Sequence, residues 1–160
     1  MSSTETSGAT PPPSPNPKAG EWRLEVVALP VSDVERAKDF YVNKLGWRLD
    51  ADFNVREDFW VVQVTPPGSA CSIHFGKGIT AASPGSIDHQ YLVVSDLAEA
   101  RAELVERGVD VSETFHLLPG EEPQPGPDPN GLTYTQYVSF SDPDENRWLV
   151  QEISTRLPGR

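Results

Sequence analysis

The chain has one cysteine, Cys71, and one methionine in 160 residues. A single thiol excludes an intrachain disulfide and any multi-cysteine zinc site. Basic residues are scarce, 13 against 24 acidic ones, and the net charge of −11 argues against nucleic acid or an anionic membrane as partner. It leaves small ligands open. No apolar run approaches the length of a membrane span, and the first residues lack the basic start and apolar core of a secretory signal. No Gly-rich phosphate loop follows a strand, and there is no nucleophile elbow, so Ser-His-Asp chemistry has no support. These absences leave a cytoplasmic, soluble protein as the expectation.

Large apolar side chains are also almost missing from the first twenty residues, MSSTETSGATPPPSPNPKAG. Such a segment buries too little surface to offset the entropy of ordering, so residues 1–21 are expected to form a disordered tail. Residues 22–156 then make one domain, with 157–160 as a short C-terminal tail.

What the chain does have is internal repetition. LEVVALPVSDVERAKDFYVNKLGWRL (24–49) and DHQYLVVSDLAEARAELVERGVDV (88–111) share one order: apolar strand, Val-Ser-Asp, amphipathic helix, glycine, strand. Val31-Ser32-Asp33 recurs as Val94-Ser95-Asp96, 63 positions later. Ser32 with Glu35 fits a capping box, and Asp33 and Asp96 read as helix-start carboxylates rather than a catalytic pair. Val34, Ala37, Tyr41 and Leu45 share one helical face, with Gly46 ending the helix. In the second unit Leu97, Ala100, Leu104 and Val105 make the stripe, ended by Gly108.

Each helix is followed by three expected strands. They fall near 47–55, 59–65 and 71–76 in the first half, and near 109–116, 133–140 and 147–153 in the second. The order is βαβββ twice, in modules of about 22–80 and 86–154. A long Pro/Gly/acidic stretch, LPGEEPQPGPDPNG (118–131), interrupts the second module and reads as a functional lid or a flexible insert. The last hairpin, SFSDPDENRWLVQEI (139–153), passes through an acidic turn. By strand alternation Leu149 and Gln151 share one face, with Val150 and Glu152 on the other.

The doubled βαβββ plan, the VSD-x-x-x-A-x-x-FY helix entry, PPGSACSIHFG (66–76) and the DPD-x-N turn resemble the vicinal oxygen chelate superfamily. That group includes glyoxalases, bleomycin-resistance proteins and extradiol dioxygenases. The resemblance spans about 22–154 and is specific for fold rather than activity. It implies an α+β domain whose two modules form a cupped mixed sheet, with helices packed on the outer face and a small molecule in the cup. It also implies a homodimer. Glu145 stands where the family turn usually has glycine, so Asn146 is expected to take the left-handed position.

In metal-dependent members the ligands come from the first and last strands of each module. The resemblance places the first-strand ligand at Val26 and at His89, and the final one at Leu149. Setting the strand 71–76 beside the last strand pairs Ser72 with Leu149 and His74 with Gln151. A valine and a leucine cannot bind a metal, so the usual ligand set is incomplete. The expectation is capture of a small organic molecule without a cofactor, in a pocket lined by His74, His89, Gln151, Tyr91, Ser72, Trp60, Val26 and Leu149. The alternative is a divalent-metal isomerase, lyase or dioxygenase, using nickel, zinc, iron or manganese on His89, His74 and Gln151. A third is acid/base chemistry by His74 or His89. Tyr134 and Phe140 are further stacking candidates, and His116 is a candidate lid contact.

Overall fold

A computed structural model describes residues 12–159. The expected disorder of residues 1–11 lies outside the described residues, and 12–25 carry no helix or strand. The first module runs β1 (Val26–Ala28), α1 (Val34–Lys38) with a π-helical extension (Asp39–Lys44), β2 (Arg48–Arg56), β3 (Phe59–Thr65) and β4 (Ser72–Lys77). The second runs β5 (Gln90–Val94), α2 (Leu97–Glu106), β6 (Phe115–His116), β7 (Gln124–Pro125), β8 (Gln136–Ser141) and β9 (Arg147–Glu152). The sheets are ordered β1-β4-β3-β2 and β5-β9-β8-β6-β7, and in each the first strand is parallel to the last. This is the α+β, two-module architecture expected from the repeat.

Local chemistry accounts for where the helices begin. Asp33 and Asp96 are both extended N-caps, and each side chain accepts from the amide three residues on, Arg36 or Glu99, at 3.0 Å. Asp33 caps instead of Ser32, because Ser32 is drawn outward to Asp144 of the other module. The π-helical turn lets the adjacent Phe40 and Tyr41 both enter the core, edge to face at 5.1 Å. Gly46 then ends the segment with φ of 72°. In α2 the stripe is shallower than expected: Leu97 is buried, whereas Val105 is exposed.

Two further elements differ from expectation. The strand expected over 109–116 keeps only Phe115–His116 and a bridge from Val111 to Phe140. Ser112 is the reason: its Oγ accepts from the Ser139 amide, so a side chain occupies a ladder position. The long stretch 118–131 is not structureless, since β7 within it pairs with β6.

The helix-side faces of the two sheets meet in one core. Tyr41 lies between them, 5.6 Å from Phe75 of the first sheet and 6.2 Å from Trp148 of the second. Beneath this aromatic cluster sits a buried polar network that joins the modules. Asp142 accepts from the amides of Asp144 and Asn146 through Oδ1, and from Tyr41 Oη and Asn146 Nδ2 through Oδ2, at 2.8–2.9 Å. Asn146, with no exposed surface, also donates to the Pro30 carbonyl and accepts from the Ile87 amide. Trp148 Nε1 donates to Tyr41 Oη at 3.0 Å. Burial, then the Asp142 charge, pushes the Tyr41 hydroxyl well above its ordinary pKa, so it stays a donor.

The turn that supplies Asp142 and Asn146 is strained elsewhere than expected. Glu145, not Asn146, takes the left-handed conformation, with φ of 71°. Asn146 is not available for that role because its side chain and amide are committed to the network. Replacing Glu145 with glycine is therefore expected to stabilise the fold by about 1 kcal/mol. Asn146→Ala orphans several buried groups and is expected to cost about 3 kcal/mol. Urea denaturation of the two variants checks both values and the opposite signs.

Candidate functional site

Strand alternation and register decide which side chains are free to meet a ligand. In the first sheet Val62, Val64, Ile73 and Phe75 point into the core. On the opposite face Ala28, His74 and Gln63 lie side by side, Val26 lies beside Ser72, and Ala51 and Phe53 continue the row next to Gln63 and Val61. In the second sheet Val138, Phe140, Trp148 and Val150 point inward. Its opposite face carries Tyr91 beside Leu149 and Ser139, and Val93 beside Gln151 and Tyr137, with Phe115 next to Tyr137. The inner faces share one core, so within a chain the two opposite faces look away from each other. Both leave aromatics in solvent: Phe53 is 60% exposed and Tyr91 54%.

The residues expected at the site are divided between these faces. Val26, Ser72 and His74 are on the first, and Tyr91, Leu149 and Gln151 on the second. His89 precedes β5, half-exposed, with Nδ1 3.2 Å from Asp88 Oδ2. Glu152 lies on the helix side, where it accepts from the Leu97 amide at the start of α2. Ser72 is buried and paired with the Thr65 hydroxyl at 2.6 Å, which leaves little of it for a ligand.

Trp60 does not belong to the outward face. It alternates with Val61 and shares the inward side with Val62, and its Nε1 donates to Asp52, which also holds Lys38. The Lys38 and Trp60 hydrogen bonds hold the Asp52 carboxyl below its usual pKa, so the contact is a settled ion pair. Phe140 is likewise a core residue, stacked on Trp148. Tyr134 lies outside the strands, in a left-handed conformation with φ of 68°. The Cys71 thiol is pushed up by burial, against any role as a nucleophile.

Tyr137, Phe115, Gln63 and Phe53 were not singled out from the sequence, yet they line the outward faces. Alternation in QYVSFS (136–141) carries the signal for Tyr137 once Val138 is recognised as core. Gln151 is fixed by its neighbours: Nε2 donates to Tyr137 Oη at 2.8 Å and to the Tyr134 carbonyl at 2.9 Å. Tyr137 in turn stacks on Phe115 at 5.6 Å.

Register also corrects the metal comparison. The repeat carries Ala28 to Tyr91, and the ladders pair Ala28 with His74 and Tyr91 with Leu149. His74, rather than Ser72, is therefore the counterpart of Leu149, and Ser72 is two positions out of step. The positions implied for ligands hold Val26, His74, His89 and Leu149. Two are hydrocarbon, so the donor set does not fit a four-ligand metal site. Within one chain the described residues contain no cluster of three or more His, Cys, Asp or Glu side chains placed to hold a metal, and His74 is on a different face from His89 and Gln151.

The long loop is anchored by Asp128. Its carboxylate accepts from the Asn130 and Leu132 amides and from Thr135 Oγ1 at 2.9–3.1 Å. His116 Nδ1 contacts the Gly126 carbonyl at 2.8 Å, so this histidine does touch the loop. The Asn130 amide, then the Thr135 hydroxyl and Leu132 amide, lower the pKa of Asp128. No helix among the described residues is long and apolar enough to cross a membrane.

Two modules of one order, βαβββ in the first and the same with the added strand β7 in the second, with free sheet faces on either side of a common core, define a small two-module α+β protein. The model of the Glyoxalase/Bleomycin resistance protein/Dioxygenase superfamily matches residues 23–150. The chain belongs to that superfamily. Among solved structures it is similar to TnmS3, an antibiotic-binding protein from Streptomyces sp. CB03234, at 30% identity and a TM-score of 0.65, covering 84% of this chain and 98% of that one. It is also similar to a glyoxalase/bleomycin resistance protein from the same Streptomyces, at 31% identity, TM-score 0.61 and coverage of 81% and 100%. A superfamily member from Sphaerobacter thermophilus DSM 20745 matches at 27% identity, TM-score 0.61 and coverage of 82% and 98%. Among curated proteins none matches the chain.

Because the folded state favours the ionised form of Asp128, its hold on the loop is complete above the ordinary carboxylate pKa of about 4. The hold is lost as pH falls through the lowered value. The Asn130 and Leu132 amides are expected to lose hydrogen-exchange protection in that acid window, and Asp128→Asn to remove the acid step.

Proposed function

We propose that the chain captures a small, largely apolar organic molecule in a cup completed by a second copy. The single observation that carries this reading is the character of the two outward faces. Each combines exposed aromatic or aliphatic side chains with a few hydrogen-bonding groups: Phe53 with Gln63 and His74, and Tyr91 and Val93 with Gln151. That mixture suits a neutral guest with a few polar substituents. The faces diverge within a chain, so one cup containing both needs the first sheet of one copy and the second sheet of another. β1 and β5 are edge strands of their sheets and so have a side open for such pairing. Similarity to an antibiotic-binding protein supports the same reading and makes antibiotic-like molecules the first compounds to try. Val26 and Leu149, at positions where metal-dependent relatives carry ligands, favour contact with hydrocarbon over coordination.

Sedimentation velocity is expected to give a dimer. Isothermal titration against a panel of neutral aromatic antibiotics is expected to give binding without turnover, weakened about tenfold by Tyr91→Ala. A monomer at micromolar concentration would sink the shared cup. One divalent ion per chain, retained through desalting and lost in His89→Ala, would replace capture by the metal-dependent reading.

A further inference from the structure

The outward face of the second sheet continues past Tyr137 into a cavity of about 480 Å³. Leu117, Leu118 and Pro119 from one end of the long loop, Leu132 and Tyr134 from the other, and Leu157 from the C-terminal segment form its walls. The volume is in the range of sites for small organic molecules. Leu132 and Leu157 are each more than half exposed, so apolar lining is left open to solvent.

The walls are tied together. Thr133 Oγ1 donates to the Thr155 carbonyl, the Thr155 amide donates back to Thr133 Oγ1, and the Leu157 amide donates to Tyr134 Oη. Tyr134, a bulky residue held in the left-handed region, turns its carbonyl to accept from both Gln151 Nε2 and Tyr137 Oη. A carbonyl can only accept, so the Gln151 amide orientation is determined. Its Nε2 is committed, and among the described residues no donor reaches its Oε1.

We infer that this side cavity selects the ligand. It takes an alkyl or aryl arm, while Gln151 Oε1 accepts a hydrogen bond from a hydroxyl or N–H on the same molecule. The ligand class is a neutral, phenol-like compound carrying an apolar substituent. This rests on the capture reading above for the rest of the molecule, which lies toward Tyr91.

The test uses phenol, 4-butylphenol and 4-hexylphenol with the full chain, by isothermal titration and by amide NMR shifts. Affinity is expected to rise about fourfold per added methylene. Leu132→Trp, at a surface position outside the core cluster, should abolish that chain-length dependence, so that 4-butylphenol and 4-hexylphenol bind equally. Gln151→Leu should weaken the whole series about tenfold. Chain-length dependence that survives Leu132→Trp, with shifts confined to Tyr91, Gln63 and His74, would overturn the cavity and leave capture in the cup intact. Shifts at Leu117, Leu132 and Leu157 alone, in a chain that sediments as a monomer, would uphold the cavity and remove the paired cup. No shift with any of the three phenols overturns the side cavity, whereas capture in the cup stands or falls on the antibiotic titration.

Discussion

The Asp142 carboxylate is the interaction on which the rest of the structure depends. It is buried with four donors around it: two amides of its own turn, the Asn146 side chain, and Tyr41 from the other module. A buried carboxylate is tolerated only when so satisfied. Meeting that requirement locks the last hairpin to the first helix. Asn146 extends the lock to Pro30 and to Ile87 in the connection between modules. The acidic turn is therefore a clasp between the two halves of the chain, with Ser32 and Arg36 gripping Asp144 at its surface.

That clasp decides the functional geometry. Once Tyr41 is held between Phe75 and Trp148, the helix-side faces of both sheets are consumed by the core. The remaining faces point in opposite directions, so they do not face each other within a chain. Their composition then acquires meaning. Aromatics and aliphatics stay open where a sheet face without a binding role is expected to be polar. The few polar groups among them are Gln63 and His74 on the first face and Gln151 on the second. Val26 lies on the first of these faces and Leu149 on the second.

Much of this was legible because it depends on local pattern. Strands 59–65 and 147–152, the glycines that end both helical segments, and the helix-facing position of Glu152 follow from periodicity and capping. The misplaced expectations share a cause. Ser32 and Asp33 both satisfy the chemistry of a cap, and only the presence of a second module near Ser32 distinguishes them. Trp60 and Val61 are both apolar, so composition did not say which faces inward. Local chemistry favours Asn146 over Glu145 in the left-handed region, and only its bonds to Pro30 and Ile87, far away in sequence, commit it elsewhere.

The amino-acid sequence by itself determined the doubled module plan without β7, its family and the alternation within each strand, since these rest on interactions between neighbours along the chain. Tertiary structure alone decided the correspondence of His74 to Leu149, the direction in which each sheet face looks, and the side cavity beneath the long loop. Each of these requires bringing together residues tens of positions apart. The spacing of apolar residues encodes that a face is buried, but the packing of the two modules decides against what.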